Sequence, residues 1–346
     1  MGEVDLLDRW EALKDGGTTS APVPPAAFQR LYRPLSDAAG EFVHWAQTPD
    51  QRIMLGIPDL DDEMRGLAPG ELCLIIGYSH SGKTLTLLEV LKNNRHKRII
   101  YFCPDEPRPL TLVKLTCVLH GMRARELEQR IAAQDNEAVR LLRDTAAVEY
   151  PTLAVFDQSV GIADMERATL EVSDLWGAPP DLVVFDYLEL LGGGGDVPTQ
   201  AAALKAWGRR HDVPLLVLHQ TSRSSGADGK RLTISSGAYG GEQQATHIIG
   251  VRRRLFEIES EINEVVDKID RSGTERDIER LESLRYDARI HSHTLTVSLL
   301  KNKRPDASRL PEVDYEIEKG TGRITRLADG DLPRQYLEEV RNNAQR

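Results

Sequence analysis

The chain has 346 residues, 40% hydrophobic and 28% charged, the composition of a globular protein with room for one large domain plus additions or for two domains. It contains no run of about 18 apolar residues that could span a membrane as a helix, and its acidic start, Met1-Gly-Glu-Val-Asp-Leu-Leu-Asp8, lacks the apolar segment of a signal peptide. The net charge of −10 argues against a surface coated for nucleic acid but leaves room for a local basic face.

Residues 1–52 read as N-terminal helices and linker. Leu6–Lys14 fits a short helix, Gly16–Pro25 a Gly/Pro-rich linker, and Ser36–Gln47 a second helix with Phe42, Val43 and Trp45 apolar. A short helix beyond a linker either docks outside its own core or packs back on its own domain. An α/β body follows over 53–328. Its first strand, Leu72–Ile76, is an unbroken apolar run, as burial on both faces requires. The next elements are a strand over Arg98–Cys103, a helix over Leu110–His120 and a charged helical region over Arg123–Ala146. Strand Leu153–Phe156 precedes helix Ala163–Leu175, and strand Asp181–Asp186 ends in an acid. A glycine loop, Gly192–Gly195, leads to helix Ala201–His211 and then to strand Val213–His219. This alternation predicts a mostly parallel sheet with helices on both faces.

Beyond Gln220 the pattern changes. Thr221–Gly241 is a long Ser/Gly-rich loop carrying Arg223, Lys230 and Arg231. Strands are expected over Thr246–Val251 and Thr294–Leu300, with a closing hairpin of Glu312–Glu318 and Gly322–Leu327. Between them lies an insertion, 252–291. Ile258, Ile262, Val265 and Ile269 form one apolar stripe; Ser272-Gly-Thr-Glu275 has the form of a capping box; Ile278, Leu281 and Leu284 supply a second stripe. These predict a protruding helical hairpin, either a spacer packed on itself or an arm for a partner. Residues 329–346 read as a polar tail, helical or disordered around Tyr336–Val340. Cys73, Cys103 and Cys117 lie in apolar runs with no C-x-x-C pair, so buried reduced thiols, no zinc site and a cytoplasmic setting are expected.

Gly77 to Thr84 matches G-x-x-x-x-G-K-[ST], the phosphate-binding P-loop. Glycines let backbone N–H groups converge on phosphate oxygens, and the following helix offers its positive end to the same anion. Gly77, Tyr78, Ser79, His80, Ser81, Gly82, Lys83, Thr84 and Leu85 are the expected nucleotide-binding residues. Lys83 is placed to reach the β- and γ-phosphates, and Thr84 to ligate Mg²⁺ together with Asp186 as the Walker B acid. A water attacking the γ-phosphate needs a base, and Asp105 and Glu106 stand just past the strand that ends at Cys103, with Glu106 favoured on reach. Gln220, at another strand end, can hydrogen-bond the γ-phosphate and sense its loss. Lys301-Asn-Lys-Arg304 follows a strand and reads either as a solvated basic turn or as cations offered to a neighbouring subunit's nucleotide.

These motifs, in this order, resemble the RecA-type ATPase core of the DnaB-like replicative hexameric helicase family. Leu55-Gly-Ile-Pro-Asp-Leu-Asp61 is similar to the family's approach to the P-loop, and Asp186-Tyr-Leu-Glu-Leu190 to its D-Y-L-Q-L. His219-Gln-Thr-Ser-Arg223 resembles S-Q-L-N-R, Glu242-Gln-Gln-Ala-Thr246 resembles E-Q-D-A-D, and Lys301-Asn-Lys303 resembles K-Q-R and, more closely, the K-N-K of the RecA recombinase. The likeness covers about 53–327 and implies a RecA-like P-loop NTPase core. Carried over, it implies ATP and Mg²⁺ at Lys83, Thr84 and Asp186, a catalytic acid on either Asp105 or Glu106, and Gln220 coupling the nucleotide to the loop after it. Lys301, Lys303 and Arg304 would reach a neighbour's nucleotide, and Arg223, Lys230 and Arg231 are candidates for phosphate contacts with single-stranded DNA. The family's primase-binding N-terminal domain is replaced by about 50 residues, the 252–291 insertion is extra, and compact phage- or plasmid-type relatives are the nearer comparison.

Three functions follow as expectations. The first is a ring-forming ATP-dependent helicase or translocase of DNA replication, hexameric as the resemblance implies, with a replication partner at the hairpin or N-terminus. The second is a RecA-like recombinase or mediator filament on single-stranded DNA. The third is an ATP-gated assembly switch or loader that unwinds nothing.

Overall fold

The computed structural model describes residues 35–221, 232–234, 240–307, 309–328 and 330–344. The expected helix Leu6–Lys14 and the Gly16–Pro25 linker lie outside these residues.

In chain order the first elements are α1 (Leu35–Gln47), α2 (Pro58–Met64), β1 (Leu72–Gly77), α3 (Lys83–Asn93) and β2 (Ile99–Phe102). Next come α4 (Arg108–His120), α5 (Ala124–Ala132), α6 (Asn136–Asp144), β3 (Leu153–Phe156), α7 (Ile162–Trp176) and β4 (Leu182–Phe185). They are followed by α8 (Val197–His211), β5 (Leu215–Gln220), β6 (His247–Arg252), α9 (Arg254–Ser272) and α10 (Glu275–Ile290). The last are β7 (Thr294–Asn302), β8 (Glu312–Ile317), β9 (Ile324–Arg326) and α11 (Arg334–Ala344).

One nine-stranded sheet runs in the order β3-β2-β4-β5-β1-β6-β7-β8-β9. The strands from β3 to β6 pair in parallel, and β7, β8 and β9 close the sheet antiparallel. All six residues of β1 are buried. Its side chains alternate between two cores: Cys73 and Ile75 join the one beneath α3 and the 53–67 segment, while Leu72, Leu74 and Ile76 join the one beneath α8. A strand buried on both faces carries no polar alternation, which is why it reads as a plain apolar run. All three cysteines are free and buried, as their apolar neighbours require.

Several boundaries move from the expected ones for local reasons. The charged region 123–146 is two helices, broken at Gln134 (φ 60°) and restarted by Asp135, whose Oδ1 accepts from Glu137 N at 2.9 Å. Helix α8 begins at Val197, earlier than Ala201, because Asp196 caps it by accepting from Thr199 N at 3.0 Å. In the hairpin, Ile258, Val265 and Leu284 are buried with Ile262, Ile269 and Leu281 against them, so the two stripes form a small core of their own. Two details correct the sequence reading. Ile278 is 51% exposed and does not belong to the stripe. The capping box is Thr274 with Asp277, Thr274 N donating to Asp277 Oδ2 at 2.9 Å, because Ser272 is still the last residue of α9.

The two ends behave differently. Helix α1 buries no residue and leaves Leu35, Phe42 and Val43 exposed. Its anchor is Trp45, whose ring lies 3.7 Å under the Arg52 guanidinium and whose carbonyl accepts from Arg52 Nη2 at 2.8 Å. The supposed tail forms α11, docked through buried Tyr336, edge-on to Tyr286 at 6.2 Å, and through Gln335 N donating to Glu316 Oε1 at 2.7 Å.

Candidate nucleotide-binding site

The parallel strands bring their C-terminal ends to one edge, where β1 turns through the glycine loop into α3. The loop is tight at both glycines. A Cβ on Gly77 would stand 2.4 Å from both Ser81 Oγ and Val251 O, and one on Gly82 (φ 104°) would stand 2.5 Å from Leu295 Cδ1. Lys83 folds back so that Nζ donates to Gly77 O at 2.8 Å and Tyr78 O at 2.7 Å. Tyr78 is half-buried, Ser79 and His80 are exposed, Thr84 and Leu85 are half-buried, and His80 takes a positive φ of 63° at the outer turn. Ser81 Oγ is buried with no hydrogen-bond partner among the described residues.

Asp186 follows β4, directly across from this loop. Tyr101 Oη donates to its Oδ2 at 3.0 Å, and its own N–H donates to Phe102 O at 2.8 Å. Burial pushes the Asp186 carboxyl up to about 6, with the Tyr101 hydrogen bond and Lys83 opposing and Asp105 and Glu106 adding. Burial likewise pulls the Lys83 ammonium down to about 8 against the attraction of Asp186 and Glu189. In both groups burial outweighs the opposite charge nearby, a balance that phosphate oxygens and a divalent cation would redress.

Asp105 and Glu106 both lie past β2, in different situations. Asp105 is exposed and acts electrostatically on Asp186 and Tyr187. Glu106 is half-buried and engaged: Lys114 Nζ donates to its Oε2, and Thr111 Oγ1 to its Oε1 at 3.2 Å. Gln220 ends β5 in register with Gly77, and its N–H donates to Glu189 Oε1 at 3.0 Å.

The basic turn sits at the opposite edge. Strand β7 runs antiparallel to β6, so Asn302 pairs with His247 at the start of β6. Lys301, Lys303 and Arg304 are thereby remote from their own P-loop, as residues serving a neighbour must be. Lys301 Nζ donates to Glu242 O at 2.9 Å and Lys303 is exposed. Lys205, which sequence reasoning missed, joins them through a shared repulsion and donates to Gln244 O at 2.6 Å. The expectation for Arg304 needs correction. Its guanidinium donates to Met64 O, Gly66 O and both oxygens of Glu71, so it is held within its own subunit.

Arg223, Lys230 and Arg231 lie outside the described residues. The glycine loop Gly192–Gly195 is described; Gly193, Gly194 and Gly195 are exposed there with positive φ, and the loop itself holds no cation. Sequence reasoning also missed Tyr101, Lys114, Glu189, His219 and Glu242. One signal was present: His219-Gln220 places two polar residues at the end of an apolar strand, where a fully buried position needs a partner.

Nucleotide and Mg²⁺ fit this site. The loop leaves Ser81 Oγ buried without a hydrogen-bond partner among the described residues and holds the Lys83 ammonium on its own carbonyls. Among the described residues no group of three or more His, Cys, Asp or Glu side chains could hold a metal. A cation here would be held by Thr84, water on Asp186 and the phosphates themselves, the way Mg²⁺ is usually bound beside a nucleotide. No described helix is long and apolar enough to cross a membrane.

No curated protein matches the chain. Among solved structures it is similar to a DnaB-like replicative helicase studied for its interactions with primase, at 17% identity and a TM-score of 0.61, over 86% of this chain and 68% of that one. It is similar also to the ATPase domain of G40P, at 17% identity and a TM-score of 0.63, over 86% of this chain and all of that one (100%). These likenesses carry the RecA-type fold. Residues 53–279 match the DnaB-like helicase C terminal domain, about two thirds of the length, and the chain belongs to that family.

Proposed function

We propose that the protein is an ATP-driven DNA helicase or translocase that works as a ring, with ATP between subunits and single-stranded DNA in the channel. The observation that carries this reading is the separation of two complementary half-sites. The P-loop and Asp186 lie at one edge of the sheet, and Lys301, Lys303 and Lys205 at the other. A half-site so far from its mate is completed by a second copy of the chain. The apolar side of α1 supports the same assembly, since Leu35, Phe42 and Val43 find no cover among the described residues.

At the site, Lys83 leaves its carbonyl partners to bind the β- and γ-phosphates, and the Ser81 hydroxyl turns to the same oxygens, leaving the Thr84 hydroxyl for the cation. Mg²⁺, when bound, neutralises developing phosphate charge. Asp105, exposed and uncommitted to any described hydrogen bond, is better placed than Glu106 to take the proton of the attacking water. Gln220 senses the γ-phosphate beside Gly77. With Arg304 held by Glu71, the cations offered in trans are Lys301 and Lys303.

The test is strand separation of a forked duplex with ATP and Mg²⁺, comparing wild type with Lys83→Ala. Unwinding by wild type alone supports a helicase. ATPase activity stimulated by single strands without unwinding moves the reading to a translocase or filament. Neither activity leaves the ATP-gated switch.

A further inference from the structure

Behind the nucleotide edge lies a buried charge cluster that phosphate binding does not use. His219 is fully buried near the end of β5. Its Nδ1 lies 2.8 Å from Glu189 Oε1 and its Nε2 lies 3.8 Å from Glu242 Oε1. The contacts are close in distance but poorly aligned. Both ring nitrogens, Glu189 Oε2 and Glu242 Oε1 are buried without a hydrogen bond among the described residues. Buried polar atoms without aligned partners cost stability, and several in one cluster call for a functional reason.

The cluster touches both half-sites. On the nucleotide side, Glu189 accepts from the N–H of Gln220 and attracts the Lys83 ammonium. On the far side, the same residue whose carboxylate faces His219 holds Lys301 through its carbonyl, Glu242 O accepting from Lys301 Nζ at 2.9 Å. A continuous path therefore runs from Lys83 through Glu189, His219 and Glu242 to Lys301. The pairing also departs from the motifs that the sequence resembles. Glu189 stands where the resembled D-Y-L-Q-L has a neutral Gln, and His219 where S-Q-L-N-R has Ser.

We propose that His219 is a positioning residue that passes the state of the nucleotide edge to Lys301 by shifting its imidazole between the Glu189 and Glu242 carboxylates. When nucleotide draws Lys83 off the loop carbonyls, the field on Glu189 changes and its hold on the imidazole changes with it. Glu242 takes up or releases the other ring nitrogen, and the backbone that holds Lys301 moves. One subunit's nucleotide then sets the cation offered to the next.

This inference rests on the nucleotide reading above, and its test separates the two. Wild type, His219→Ser and Glu242→Gln are each mixed with a non-hydrolysable ATP analogue. Analogue affinity is measured by fluorescence, and amide exchange is followed over 240–246 and 294–302. Wild type is expected to bind and to change its exchange in both segments. His219→Ser is expected to bind within about twofold of wild type yet lose that change, with kcat down about tenfold or more and KM little altered. Glu189→Gln/His219→Ser, which removes the unpaired carboxylate but leaves no imidazole to move, is expected to keep kcat near the His219→Ser value with the exchange change still absent, whereas a merely structural defect would be relieved by neutralising Glu189.

If His219→Ser does not fold, Glu242→Gln carries the test, because it keeps the imidazole and removes only its far partner; it too is expected to lose the exchange change. An undiminished response in whichever variant folds overturns the proposal. So does a wild type that binds analogue with no exchange change over these segments. A wild type that binds no nucleotide overturns the nucleotide reading itself, and the inference falls with it.

Discussion

Arg304 grips Glu71 with both arms of its guanidinium, Nη1 to Oε1 at 2.6 Å and Nη2 to Oε2 at 2.8 Å. The same side chain donates to Met64 O at 2.9 Å and Gly66 O at 3.0 Å and lies over Trp45. It therefore ties the strap before β1 to the strand end after β7. Planar two-point pairing of this kind fixes geometry as well as charge. A residue that looks, in sequence, like a cation offered to a neighbour is here a clamp inside one subunit.

Glu71→Gln is expected to lower stability by about 2 kcal/mol at neutral pH, less than the ~3–5 kcal/mol of a fully buried broken pair because the site is partly open. Burial alone would raise the Glu71 carboxyl, but the His247 hydrogen bond and Arg304 outweigh it and hold it below the ordinary 4.5. A depressed carboxylate stabilises the fold above its unfolded value and loses that contribution as pH falls through the folded value. Urea unfolding of wild type and variant at falling pH is expected to show the gap between them closing below pH 4.5.

Gly82→Ala is expected to destabilise by about 1–3 kcal/mol and to abolish nucleotide binding, since Gly82 combines a left-handed φ with close contact to Leu295. Thermal unfolding and binding of a fluorescent ATP analogue check both parts. Wild-type affinity in this variant would mean that the loop opens to bind.

Asp105→Asn is expected to cut kcat by about 10²-fold or more with ATP affinity retained, the usual scale for a lost general base. Glu106→Gln is expected to act more on stability, because it loses its ion pair with Lys114. Steady-state ATPase kinetics on both variants decide between the two acids. The reverse ranking would mean that Lys114 yields Glu106 to the water.

Leu284→Ala is expected to weaken the helical hairpin by about 2–3 kcal/mol while leaving ATP turnover unchanged. Leu284 packs with Ile258 and Val265 in a cluster separate from both sheet cores. Hydrogen exchange over 254–290, compared with exchange in β1, reads the effect. A matching loss of protection in β1 would show that the hairpin unfolds only with the whole domain.

The sequence by itself determined the elements whose signals are local. Leu72–Gly77 and Leu182–Phe185 are apolar runs, one leading into the glycine loop and one ending at Asp186; the P-loop has fixed glycine spacing, and the stripe from Ile258 to Ile269 needs only helical periodicity. Caps could be misplaced by a residue or two, as Thr274 and Asp277 show, because several polar residues near a turn satisfy the same pattern. Only the tertiary structure decided which groups meet. Arg304 and Glu71 stand 233 residues apart, Lys301 and Glu242 stand 59 apart, and a turn of basic residues carries no record of the acid or carbonyl it will face. His219 looks like an ordinary polar strand end until β4, β5 and the segment entering β6 enclose it between two carboxylates. Periodicity is a property of neighbours along the chain, whereas charge pairing and burial are properties of neighbours in space. The fold was therefore largely readable in advance, and the wiring of the site was not.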